Sequence, residues 1–254
     1  MKLLILAAGR GSRLSPYTDD RPKCMVPYQE KPIIDHILDT AFQFPNISEI
    51  AIVGGYKKEI LESHLKGKNI KFYTNKEFAT SNMVHSLFAA ESFLDDEIII
   101  SYSDIIYKKE ILELLIHSKG ALNVIVDSEW KNLWSKRMED PLDDAETLKI
   151  ANGIIIELGK KPKSYDDIEG QYIGLIKISR DTLIKLKKFY NSLNKNIYYD
   201  GQNYKNMYMT TLIQLAITHL VDVSPVFISG GWIEIDTVSD LALYKNENFL
   251  LTSY

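Results

Sequence analysis

Residues 3–8 form an unbroken apolar run that stops at Gly9, and residues 49–53, closed by Gly54-Gly55, repeat the pattern. Runs of that length without polar alternation predict strands buried on both faces, as in a parallel sheet covered by helices. Between them Ile33, Ile34, Ile37, Leu38, Ala41 and Phe42 recur at helical spacing, with Pro32 suited to the first turn and Pro45 just past the end. A second stripe, Ile60, Leu61, His64 and Leu65, predicts another helix. Further strands are expected at 70–73, 98–101 and 123–127, with helices at 83–93 and 109–118. This alternation predicts an α/β fold, a Rossmann-like, mainly parallel sheet with helices on both faces and ligands at the carboxyl ends of its strands.

The texture changes after Asp127. Residues 148–151 and 154–156 flank Asn152-Gly153, a pair that tolerates positive φ, so a hairpin and a small antiparallel elaboration are expected in the second half. A strand at 171–178, helices at 183–193 and 209–220, a strand at 233–236 and a closing helix complete the pattern. Without repeats, low-complexity tracts or a flexible linker, residues 1–254 read as one domain with halves at 1–127 and 128–254.

Composition narrows the partners. The 254 residues are 45% hydrophobic and 25% charged, which supports a full core and excludes disorder and coiled coil. With 30 Lys+Arg against 34 Asp+Glu, the net charge of -4 provides no basic field for nucleic acid or an anionic membrane, so any phosphate must be met locally. Cys24 is the lone cysteine, which excludes an internal disulfide and fits the cytoplasm. The apolar run after Lys2 is too short for a secretory signal, and no stretch approaches the ~20 residues of a membrane span.

The sharpest local feature runs from Leu6-Ala7-Ala8-Gly9-Arg10-Gly11-Ser12-Arg13-Leu14 to Arg21-Pro22-Lys23, at the end of the first predicted strand. Small residues there admit phosphates to the backbone N–H groups, and Arg13 and Lys23 add charge; a plain strand-to-helix turn is the simpler reading. A dinucleotide fingerprint fails at Leu14 and at Gly54-Gly55-Tyr56, where a small residue and an acid are required, and no P-loop is present. Asp104 and Asp236 each close a predicted strand. They serve either as helix caps and solvated strand ends or as a Mg2+ pair, since Mg2+ takes one or two carboxylates beside phosphate oxygens. Trp130, Trp134 and Arg137 fall on one face if their segment is helical, suited to an organic phosphate or, for the tryptophans, to core packing. The five histidines lack ligand spacing, and Ser12 and Ser103 have no evident histidine–acid partners.

Taken together, Leu-Ala-Ala-Gly, Gly-Ser-Arg-Leu and Pro-Lys resemble the signature of the nucleotidyltransferases that activate phosphorylated sugars and small phosphorylated metabolites. The resemblance implies that Leu6, Ala7, Ala8, Gly9, Gly11 and Ser12 wrap a nucleoside triphosphate whose phosphates Arg13 and Lys23 neutralise. It implies Mg2+ on Asp104 and Asp236, and a nucleobase near Gly55, Tyr56, Asn82 and Ser86. The Trp-x-x-x-Trp-x-x-Arg run and residues 144–147, 171–175 and 206–210 look most like the cytidylyltransferases of small amino-alcohol or amino-acid phosphates. CTP and a small phosphorylated acceptor are therefore the expected partners, with L-glutamine phosphate ahead of phosphocholine and aminoethylphosphonate, for capsule phosphoramidate modification. Trp130, Trp134, Arg137, Gln171 and Tyr172 would meet the acceptor, with Lys161 from a Glu-Lys-Pro element that here carries an inserted Leu-Gly and leaves Lys160 as the alternative. The rival readings are a sugar-1-phosphate nucleotidyltransferase using UTP or dTTP, and a nucleotide-sensing subunit, against which the intact lysine and both aspartates argue.

Overall fold

The first strand, β1 (Lys2–Ala7), is buried along its whole length, and its side chains divide between two cores. Leu3, Ile5 and Ala7 enter one cluster, Leu4 and Leu6 the other, which is how a strand with an unbroken apolar run must sit. The computed structural model describes residues 1–246. Together with β1, the strands of three residues or more are β2 (Glu49–Gly54), β3 (Ile70–Thr74), β4 (Ile98–Tyr102), β5 (Ile105–Tyr107), β6 (Leu122–Asp127), β7 (Leu148–Ala151), β8 (Ile154–Leu158), β9 (Gln171–Ile178), β10 (Val223–Ile228) and β11 (Trp232–Glu234). Nine of them form one sheet in the order β3-β2-β1-β4-β9-β6-β10-β8-β7. The β3-β2-β1-β4 side is parallel, as is β6 with β10, whereas β9 runs antiparallel to both of its neighbours.

The helices are α1 (Ile33–Ala41), α2 (Lys58–His64), α3 (Met83–Ala89), α4 (Lys109–His117), α5 (Trp130–Arg137), α6 (Arg180–Ser192), α7 (Met209–His219) and α8 (Val238–Asn246). Residues of α1, α4, α5 and α8 join one core, and those of α3, α6 and α7 the other, so the sheet is covered on both faces. Cys24 is buried, and burial pushes its thiol up to about 12.

The mainly parallel α/β sheet expected from the sequence is present, with local differences. The helix expected over 83–93 ends at Ala89, with a separate short turn at Glu91–Phe93 after Ala90 leaves helical geometry. The antiparallel hairpin forms as expected, with Asn152 and Gly153 at φ 53 and 78, but its strands continue the main sheet rather than standing apart from it. Strand β10 was not expected because Pro225 interrupts its apolar run.

The late strand is shorter than the expected 233–236 and pairs outside the main sheet, with β5. That small ladder sets the site. Its register pairs Glu234 with Ile105, and Ile235 donates to the Asp104 carbonyl at 2.9 Å, so Asp104 before β5 and Asp236 after β11 meet at one end.

Candidate active site

Lys23 lies between the two aspartates, its Nζ 2.5 Å from Asp104 Oδ2 and 2.5 Å from Asp236 Oδ1. Arg13, from the turn Ser12–Leu14, pairs with the other oxygen of Asp236. Burial alone would lower the Lys23 ammonium, but Asp104, Asp236 and Glu234 overcome it and hold the group charged, above its ordinary value. Asp104 Oδ1 is buried without a partner. Two carboxylates converging on one cation, one of them with an oxygen to spare, fit a hard divalent ion that completes its shell with phosphate and water. Among the described residues no group of three or more His, Cys, Asp or Glu side chains converges as a metal site.

The signature loop owes its path to Gly11. Its φ of 73 favours glycine, and an added Cβ would lie 2.8 Å from Lys23 Cβ, so the lysine reaches the aspartates by packing across a missing side chain. Thr18 Oγ1 holds the Gly11 carbonyl at 2.9 Å. Beside the loop, Tyr56 N donates to the Ala8 carbonyl at 3.0 Å, and the Arg10 guanidinium lies 5.5 Å from the Tyr56 ring centroid, so Gly55 and Tyr56 border the signature. Asn82 is the N-cap of α3, accepting from Met83 N, while Ser86 is buried and accepts from Asn75 Nδ2 at 2.9 Å.

Next to the Arg13–Asp236 pair opens a cavity of about 330 Å3. Trp134, Gln171 and Tyr172 line it, together with Tyr102, Tyr208, Thr210 and Trp232. Its charge is acidic. Asp144, Glu146 and Glu234 face Arg13, the one cationic side chain among the described residues of the lining. Burial pushes the Glu146 carboxyl up to about 7, reinforced by the charges of Asp144, Asp200 and Glu234. Burial also raises Glu234, against the pull of Arg137. Trp134 Nε1 and the Tyr172 hydroxyl are buried without hydrogen-bond partners.

Three expected acceptor residues lie elsewhere. Trp130 is buried in the core, edge-on to Trp134 with ring centroids 6.0 Å apart, so for this residue the core-packing reading is the right one. The Arg137 side chain is 2% exposed and engaged by Glu234 and Asp240; it does not line the cavity. Lys161 is exposed and donates to the Leu142 and Asp143 carbonyls at 2.5 and 2.7 Å, bracing the turn Pro141–Asp143, and Lys160 pairs with Glu157. Neither lysine is part of the lining.

Sequence reasoning assigned no role to Glu146 or Glu234. Glu146 lies in the 144–147 run already singled out, and Glu234 stands at the end of β11, two positions before Asp236.

Residues 3–157 match the model of the MobA-like NTP transferase domain. The chain is 47% identical over 248 residues to the CTP:phosphoglutamine cytidylyltransferase of Campylobacter jejuni subsp. jejuni serotype O:2, covering 95% of this chain and 98% of that one. Among solved structures it is similar to the CTP:phosphocholine cytidylyltransferase from Streptococcus pneumoniae, with TM-score 0.72 and 20% identity over 96% of this chain and 97% of that one. The inositol-1-phosphate CTP transferase from T. maritima gives TM-score 0.73 at 15% identity, over 96% and 94%. At those identities the two structures speak to the fold alone.

Proposed function

Because the chain belongs to the MobA-like NTP transferase family, we propose that it transfers CMP from CTP to L-glutamine phosphate and releases pyrophosphate. The observation that carries this reading is the acidic, aromatic cavity beside Arg13 and the aspartate pair. An amino-acid phosphate brings an ammonium group for Asp144, Glu146 and Glu234, whereas a hexose phosphate brings only hydroxyls to carboxylates already crowded together.

In the reaction, an acceptor phosphate oxygen forms a bond to the α-phosphorus of CTP as the bond to the pyrophosphate oxygen breaks in line and pyrophosphate leaves with the electron pair. The acceptor phosphate is ionised near neutral pH, so no protein base is required. Lys23 and Arg13 place positive charge where the triphosphate charge develops, and the loop from Leu6 to Ser12 holds the phosphates. Asp104 and Asp236 would hold Mg2+, which would supply further charge neutralisation. Gly55, Tyr56, Asn82 and Ser86 border the cytosine. Arg13 serves the acceptor phosphate as well, in place of Lys161 and Arg137.

No helix among the described residues is long and apolar enough to cross a membrane. We assign the reaction to the cytoplasm on the strength of the lone buried cysteine and, from the resemblance to the cytidylyltransferases of amino-acid phosphates, its activated product to capsule phosphoramidate modification.

The test is pyrophosphate release with CTP, UTP or dTTP against L-glutamine phosphate, phosphocholine, aminoethylphosphonate and glucose 1-phosphate. CTP with L-glutamine phosphate should give the highest kcat/KM. A preference for the hexose phosphate with UTP or dTTP, or no turnover with any pair, overturns the reading.

A further inference from the structure

Arg137 ends α5 one turn after Trp134, with its guanidinium 5.3 Å from the Trp134 ring centroid. Each of its three guanidinium nitrogens donates a hydrogen bond. Nε donates to Asp240 Oδ1 at 2.9 Å and Nη2 to Asp240 Oδ2 at 3.3 Å, while Nη1 donates to Glu234 Oε2 at 2.7 Å. Asp240 is also engaged on its other side. Its Oδ2 accepts from the Asp236 and Thr237 backbone N–H groups at 3.0 and 2.8 Å, and its own N–H donates to Thr237 Oγ1 at 3.1 Å. One buried cation therefore touches a cavity carboxylate directly and, through a single carboxylate, fixes the backbone of the aspartate that Lys23 and Arg13 grip.

We propose that Arg137 is a positioning residue that sets Glu234 in the acceptor cavity and, through Asp240, the turn that carries Asp236, holding the acceptor and triphosphate sites in register. This rests on the reading of the cavity as the acceptor site and of Asp236 as part of the triphosphate site. A lysine at this position keeps the charge, but a point ammonium cannot span a bidentate contact to Asp240 and a second contact to Glu234. The two arms of the network are separable, because Glu234 faces the cavity and Asp240 clamps the Asp236 turn.

The experiment compares R137K, E234Q and D240N, each assayed well below its own melting midpoint and corrected for folded fraction. The readouts are the acceptor KM and, without turnover, the dissociation constant of CTP with magnesium chloride by calorimetry. E234Q should raise the acceptor KM at least about fivefold and change CTP binding by a smaller factor, since its charge also supports Lys23; D240N should weaken CTP binding at least about threefold and leave the acceptor KM within about twofold; R137K should show both losses. If R137K does not fold, Arg137→Gln, which keeps a planar donor group, replaces it. Folded Arg137 variants with a lower melting midpoint but unchanged constants, or with only one of the two losses, overturn the proposal and leave Arg137 a brace. Kinetic ratios are taken on whichever acceptor the wild type uses, so failure of L-glutamine phosphate as substrate is distinguished from failure of the positioning role. If no acceptor turns over, unchanged CTP binding in R137K by itself overturns it.

Discussion

The carboxamide of Gln171 closes on the backbone of Glu146 from both sides, donating through Nε2 to its carbonyl at 2.6 Å and accepting its N–H at 3.2 Å. Gln171 is 4% exposed and begins β9, so a rigid strand of the main sheet dictates where the cavity acid stands. Lining residues of this kind act by placing their neighbours as well as by touching ligand.

Gln171→Leu removes both contacts and leaves two backbone groups of Glu146 without partners. The expected cost is about 1–3 kcal/mol of stability, together with a raised acceptor KM and an unchanged KM for CTP. Urea unfolding and two-substrate kinetics measure these effects. Equal changes in both KM values would mean that Gln171 serves the fold and not the cavity.

The elevated Glu146 gives a pH signature. Its carboxyl must be ionised to meet an ammonium group, and burial holds it at about 7, so acceptor kcat/KM should rise with pH and level off above that value. Ionisation of the acceptor phosphate near pH ~6 affects wild type and Glu146→Gln alike, so the difference between their profiles isolates this residue. The stability effect runs the opposite way. A carboxyl raised from 4.5 to about 7 contributes stability that is full below 4.5 and is lost as pH rises through 7, so the ligand-free wild type should lose melting temperature across that window relative to Glu146→Gln. Parallel pH profiles in the two proteins would remove Glu146 from the acceptor site.

Lys23 neutralises two carboxylates that face each other across it. Lys23→Met should lower kcat by about 100- to 1,000-fold and destabilise the ligand-free protein, because the aspartates are left to repel. Magnesium chloride should then raise the melting temperature of Lys23→Met by more than it raises that of wild type, since the ion takes the place vacated by the ammonium. An equal magnesium shift in both proteins would argue against Asp104 and Asp236 as the ligand pair.

Much of this was legible in the chain. Residues 3–8 and 49–53 read as doubly buried strands, and the step from Gly9 to Ser12 singled out the loop against which Lys23 packs. Spacing on a helix did not show which neighbours would meet Arg137. Trp134 and Arg137 share a face of α5 as expected, yet that face packs against β11 and α8, and the guanidinium is engaged by Glu234 and Asp240, 97 and 103 positions away. Lys161 misled for a related reason: an insertion between Glu157 and the lysines shifts which atoms the turn presents, and hydrogen bonding to the Leu142 and Asp143 carbonyls decided the outcome. Long-range ion pairing and turn closure are properties of the folded backbone and leave little trace in local pattern.

Gly11 separates backbone strain from collision. Gly11 and Gly67 both have positive φ, 73 and 89, but an added Cβ at Gly67 meets nothing within 4 Å, whereas at Gly11 it would lie 2.8 Å from Lys23 Cβ and 2.9 Å from Cγ. Alanine at either position should cost about 1–2 kcal/mol from the left-handed backbone. Only Gly11→Ala should also push the Lys23 stem away from Asp104 and Asp236, so its kcat should fall at least about tenfold while Gly67→Ala stays near wild type. Urea unfolding of both variants, with turnover measured under conditions where both are folded, checks this. A Gly11→Ala protein that is destabilised to the same degree as Gly67→Ala and just as active would show that Lys23 does not depend on the missing side chain.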